Sequence, residues 1–166
     1  MSNTSAIAQL LMQRELLRQE YREEKEAYRL HSESVGLARK VTRGDAWYPL
    51  HVGRTYYNSL NQFCVEVTRK ADEEIDHNFE YGKPVVFFTA EVPNGDLKQA
   101  GQIRFYGFTG TISYVDGDRM VVAIPEGHVL ELQNAPTPVG VQLFFDETSY
   151  RMMFDALDQI YHQIKI

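Results

Sequence analysis

QIRFYGFTGTISYVDGDRMVVAI, residues 102–124, decides the fold. Its first part, to Val115, is rich in Ile, Phe and Tyr and changes side at roughly every second residue, which predicts a long strand. MVVAI (120–124) predicts a second strand, and VDGDR (115–119) carries the Asp-Gly signal of a tight hairpin between them. Gly107 and Gly110 lie inside the longer strand, where glycine permits the sharp bending that a small barrel wall needs.

The same period continues outward. WYPLHV (47–52), FCVEV (63–67) and PVVFF (84–88) precede the hairpin, and VQLFF (141–145) follows it, making six predicted strands. PNGDLKQAG (93–101) and NAPTPVG (134–140) supply turn chemistry between them. The expectation is a closed or nearly closed, mainly antiparallel six-stranded barrel over residues 46–145.

Helices flank it. Residues 4–43 read as one long helix with no proline, and Asn3 or Thr4 is placed to cap it. One lane of its surface holds Ile7, Arg14, Tyr21, Tyr28 and Val35, and the next holds Leu10, Leu17, Glu24 and His31. In FDETSYRMMFDALDQIYHQIKI (145–166), Tyr150, Met153, Phe154, Leu157, Ile160, Tyr161 and Ile164 fall at steps of three and four. That is an apolar stripe on a helix over about 147–165, with Asp146 or Thr148 as its N-cap. A long helix is poorly stable without a partner for its apolar face. The two helices are therefore expected to pair antiparallel as a stalk, burying Tyr21, Tyr28, Phe154, Leu157 and Tyr161 against one another. The fold class is α+β, with residues 1–166 as one domain. Ile160, Tyr161, Ile164 and Ile166 should leave apolar surface at the helix tip, giving a monomer with weak self-association.

Composition narrows the function classes. The chain has 166 residues, 43% of them hydrophobic and 12% aromatic, which supports a packed core rather than disorder. No apolar run approaches the roughly 18 residues of a membrane span, and the start of the chain lacks a signal-peptide core. Cys64 is the single cysteine, so no disulfide framework is expected, in keeping with a reducing cytoplasm. The net charge of −6 is unevenly spread. Residues 36–70 hold six Lys or Arg against two acids, whereas 71–82 hold five acids and no base. A local basic face is possible on an acidic protein, and an ordinary solvated surface is the plainer reading.

Catalytic signatures are missing. There is no GxxxxGK[ST], GxGxxG, HExxH or CxxC, and the five histidines (31, 51, 77, 128 and 162) lack metal-ligand spacing. Ser59 and Cys64 have no evident base, and the DEEID run (72–76) reads as a charged loop. No catalytic residue, cofactor or metal is assigned, and the chain alone is not expected to be an enzyme.

HVGRTYYNSLNQF (51–63) reads as the connection between the first two strands. It groups Gly53, Arg54, Tyr56, Tyr57, Asn58, Asn61 and Gln62. Guanidinium for phosphate, phenol rings for stacking and amides for polar base edges are the tools of single-strand binding. Arg104 and Tyr106, on the long strand, are second candidates. In the plainer alternative Tyr56 and Tyr57 pack on the barrel rim and Arg54 is a solvated charge. Both readings stand at this point.

Three longer runs carry a family resemblance: WYPLHVGRTYYNSLNQFCVEVTRK (47–70), GTISYVDGDRMVVAI (110–124) and GVQLFFDETSYRMMFDAL (140–157). They resemble the N-terminal region of superfamily 1 helicases of Bacteroidetes, in the nonsense-mediated-decay and immunoglobulin-mu-binding-protein branch. The likeness extends from about Leu16 to Ile160. It implies an accessory domain with a stalk helix, a β-barrel and a second stalk helix, followed in such helicases by RecA-like motor domains that bind ATP and magnesium. It implies contact with single-stranded DNA or RNA. The motor motifs are missing from these residues, so helicase activity is not carried over to them. A protein-interaction module that touches no nucleic acid is the alternative from a different class.

Overall fold

The computed structural model describes residues 3–34, 36–70, 76–145 and 147–165. Val35, residues 72–75 of the acidic run, Asp146 and Ile166 lie outside the described residues, as do the side chains of Tyr28 and His31. The chain divides into two compact units, Ser34–Phe144 and the pair Met1–Glu33 with Phe145–Ile166.

In the larger unit, six strands close a barrel: β1 (Ala46–Tyr57), β2 (Phe63–Arg69), β3 (Pro84–Thr89), β4 (Arg104–Asp116), β5 (Arg119–Ala123) and β6 (Val139–Leu143). Their order around the wall is β1-β2-β5-β4-β3-β6, and each neighbouring pair is antiparallel. Each expected apolar run contains a strand, but β6 ends at Leu143, so Phe144 and Phe145 of the expected run 141–145 lie beyond it, and Phe145 belongs to the smaller unit. The hairpin at 115–119 is present, with Asp116 opposite Arg119 and Gly117 at φ +57°, a left-handed conformation that suits glycine.

Alternation sorts the side chains. Val65 and Val67 of β2, Val85 and Phe87 of β3, and Val139 and Val141 of β6 enter the core around Trp47, Ile112, Met120 and Val122. Gly110 marks where β4 presses on β5. A Cβ there would sit 2.5 Å from Val122 Cγ1 and 3.0 Å from the Ala123 carbonyl oxygen. Gly110→Ala should therefore cost about 1–3 kcal/mol by overpacking. A urea melt giving an unchanged midpoint would show that the wall yields at this point.

The first helix differs from expectation. Instead of one helix over 4–43, α1 (Asn3–Ser34) ends, Gly36 is extended (φ −68°, ψ 165°), and α2 (Leu37–Arg43) starts anew. The reason is a second apolar cluster on the barrel's outside. There Leu37 and Val41 of α2 pack with Ala46, Phe88 and Ala90. Burying these side chains outweighs the few helical hydrogen bonds lost at a glycine, which is itself a poor helix former. Gly140 belongs to the same arrangement, because any Cβ at this position would overlap the Phe88 ring.

Both mouths of the barrel are filled. At one, a short 3₁₀ turn (Glu126–His128) and α3 (Val129–Gln133) insert Leu132, while the His128 ring stacks on Phe108 at 4.6 Å. Sequence reading missed α3, because five residues leave no measurable period. At the other mouth, His77 and Phe79 lie 5.3 Å and 5.2 Å from Trp47, with the Arg69 guanidinium 4.8 Å over the same ring.

In the smaller unit, α1 packs antiparallel against α4 (Glu147–Lys165). Arg14 meets Asp158 at 3.3 Å, Tyr21 meets Phe154 at 6.1 Å and Lys25 meets Glu147 at 3.4 Å, so positions rise on one helix as they fall on the other. Leu10 and Tyr150 are buried, and Ile7, Leu17, Tyr21, Phe154, Leu157, Tyr161 and Ile164 are half-buried. Tyr21 is the centre of the seam. Its ring lies edge-on to Tyr150 at 5.3 Å, its hydroxyl donates to Glu147, and Tyr150 donates to Glu24. At the tip Ile160 is exposed, as expected, whereas Tyr161 and Ile164, expected to leave apolar surface there, are half-buried.

Candidate nucleic-acid interface

The stretch 51–63 is not a loop. β1 continues through Tyr57, and only 58–62 turn the chain into β2. A bulge makes this possible: Val52 pairs with Val67 and Thr55 with Val65, so β1 spends one residue more than β2 across Glu66. Gly53 fits the crowded side of that bulge, where a Cβ would approach the Glu66 carbonyl oxygen to 3.1 Å. Arg54 is thereby aimed outward beside the Glu66 side chain.

Glu66 joins two arginines. Arg54 Nε donates to Glu66 Oε2 at 3.1 Å. Arg119, on β5, donates through Nε to Oε1 and through Nη2 to Oε2, both at 3.0 Å, a bidentate grip. Each guanidinium also lies over a tyrosine ring: Arg54 is 5.0 Å from the centroid of Tyr56, and Arg119 is 5.6 Å from that of Tyr114. The result is a continuous outer surface Tyr56–Arg54–Glu66–Arg119–Tyr114 across β1, β2, β5 and β4. The Arg54 side chain is 71% exposed and that of Glu66 only 20%. Hydrogen bonds from Arg119 first, and then Arg54, bring the Glu66 carboxyl down from its ordinary 4.5 to about 2.

This shift has a sign. Because the folded-state value is depressed, the ionised Glu66 stabilises the fold fully above pH 4.5, and that contribution is lost as pH falls through about 2. The stability difference between wild type and Glu66→Gln should therefore narrow on acidification from pH 5 to pH 2. A gap that stays constant across this range would mean that the carboxylate is not held by the arginines.

The other candidates are placed elsewhere. Tyr57 donates its hydroxyl to Glu126 at 2.5 Å and packs edge-on to Phe63 at 5.4 Å, tying the rim to the turn before α3. Tyr106 likewise donates to the Glu131 carbonyl oxygen at 3.3 Å. Asn58 organises the β1–β2 turn: its Oδ1 accepts from the backbone of Leu60 and Gln62, and its amide donates to Gln62. Arg104 is exposed at the start of β4, in a cleft of about 290 Å³ lined also by Thr89, Glu91, Gln102 and Thr137. Only Arg54 and Tyr56 of the six predicted residues come together. Glu66, Tyr114 and Arg119 were not foreseen. MVVAI is apolar throughout and gives Arg119 no facing by alternation, and nothing local says which strand will lie beside it.

Among the described residues, no helix is long and apolar enough to cross a membrane, and no group of three His, Cys, Asp or Glu is arranged to hold a metal ion. No protein-family model matches the chain, and no curated protein matches it significantly.

Proposed function

We propose that this chain is a nucleic-acid-contacting accessory domain of an ATP-dependent superfamily 1 helicase, touching single-stranded DNA or RNA through the outer face of β1, β2, β5 and β4. The observation that carries the reading is the pairing of Arg54 with Tyr56 beside Arg119 with Tyr114 on one outer surface, where Arg54 and Tyr114 are exposed and Tyr56 and Arg119 half-buried. Arginine pairs with phosphate whatever the base, and an aromatic face accepts any base, so the pair suits sequence-independent contact. The helicase assignment rests on the resemblance of residues 47–70, 110–124 and 140–157. In this reading ATP and magnesium belong to RecA-like motor domains, and the barrel covers one side of the strand that the motor moves.

The test is titration of residues 1–166 with labelled single-stranded DNA and RNA at two salt concentrations. Binding should weaken steeply with salt, because each phosphate contact releases counterions. Tyr56→Ala should cost about 1–3 kcal/mol of affinity where a base stacks. Arg54→Gln should weaken binding to all sequences alike and flatten the salt slope by about one. Absence of binding at low salt would favour the protein-interaction module instead.

A further inference from the structure

We propose that Glu66 occupies the place of a nucleic-acid phosphate, as a built-in competitor that a single strand must displace to engage Arg54 and Arg119 together. The proposal rests on the reading above and concerns the regulation of the same surface.

The geometry is that of an anion site already filled. Three charge-assisted hydrogen bonds of 3.0–3.1 Å converge on one carboxylate from two different strands. Carboxylate and phosphate present a guanidinium with the same kind of oxygen pair, so groups placed to grip one are placed to grip the other. The tyrosines flank this centre on either side, each beneath its own arginine. A strand running from Tyr56 to Tyr114 sets a phosphate at the centre and a base near each ring. Glu66 is anchored on β2 between the two arginine-bearing strands, whereas Arg54 projects into solvent. The carboxylate therefore holds both guanidinium groups in position while cancelling one of their two charges. The Arg54 arm of the pair lies largely in solvent and is individually weak, so a polyanion competes first for Arg54 and must then displace the bidentate Arg119 grip. The displaced charge stays nearby and opposes the phosphate. Affinity is thus held below what two free arginines would give, and weak polyanions are refused.

The experiment compares wild type, Glu66→Gln and Asp155→Asn by fluorescence anisotropy with labelled dT12 and U12, each over a salt series. Asp155 lies exposed on α4, in the other compact unit, so its neutralisation raises net charge equally and removes no residue of the site. Circular dichroism melts confirm that each variant is folded. Glu66→Gln should bind about tenfold tighter at low salt, with a log–log salt slope steeper by about one, while Asp155→Asn changes affinity less than twofold. Adding Arg119→Gln to Glu66→Gln should remove the gain. Wild-type binding with no gain in Glu66→Gln overturns the competitor role and leaves the nucleic-acid reading standing. An equal gain in Asp155→Asn also overturns it, because the effect is then bulk charge. Failure of both wild type and Glu66→Gln to bind either oligonucleotide overturns both proposals. A gain with only one oligonucleotide supports the competitor and shows which of the two strands the surface prefers.

Discussion

Trp47→Ala should lower the stability of the barrel by about 3–5 kcal/mol, whereas Trp47→Phe should change it by no more than about 1 kcal/mol. Trp47 is among the largest fully buried side chains, set on β1 opposite Val141 and packed against Phe79 and His77. Truncation to alanine removes the indole and leaves a cavity that a closed wall cannot collapse. Phenylalanine keeps a ring against Phe79. It also removes an indole N–H that is buried without a hydrogen-bond partner among the described residues. Releasing that unsatisfied donor offsets part of the lost volume. Chemical denaturation of both variants is the check. Comparable losses would mean that the size of the indole matters more than its orphaned donor.

The second large effect concerns Lys40 and changes sign between a single and a double substitution. Lys40 is 4% exposed on α2, and its Nζ donates to Gln142 Oε1 at 3.2 Å on the outer side of β6. Gln142→Leu removes that acceptor from a buried ammonium and should cost about 2–3 kcal/mol. Lys40→Met with Gln142→Leu removes both polar groups and should exceed wild type by about 1 kcal/mol, as replacing a buried polar pair with packed apolar side chains often does. Burial pushes the Lys40 amine below its ordinary 10.5. Between the folded value and 10.5 the unfolded chain therefore binds more protons, and wild-type stability gains from this group as pH rises through that window. Melting curves across alkaline pH should show the gain in wild type and not in the double variant. A double variant less stable than Gln142→Leu would show that the polar pair is a net stabilising contact.

The six strands, the 115–119 hairpin and the α4 stripe were legible in the residues themselves. Each depends on side chains within a few positions of one another, through alternation, Asp-Gly turn chemistry or a three-and-four spacing. Even the pairing of α1 with α4 followed from two stripes that lacked cover. The break at Gly36 was not legible, since the surface that buries Leu37 is made by Ala46, Phe88 and Ala90, which are distant from it in sequence. The bulge that keeps Arg54 and Tyr56 in β1 was hidden as well, because a bulge is a relation between two strands. The candidate site shows the same division most clearly. Arg54 and Tyr56 could be named from sequence, whereas their meeting with Glu66, Arg119 and Tyr114 depends on β2 lying between β1 and β5. Strand order is chosen by which apolar faces close one core together. That is a property of the whole packed wall, and no local pattern of residues encodes it.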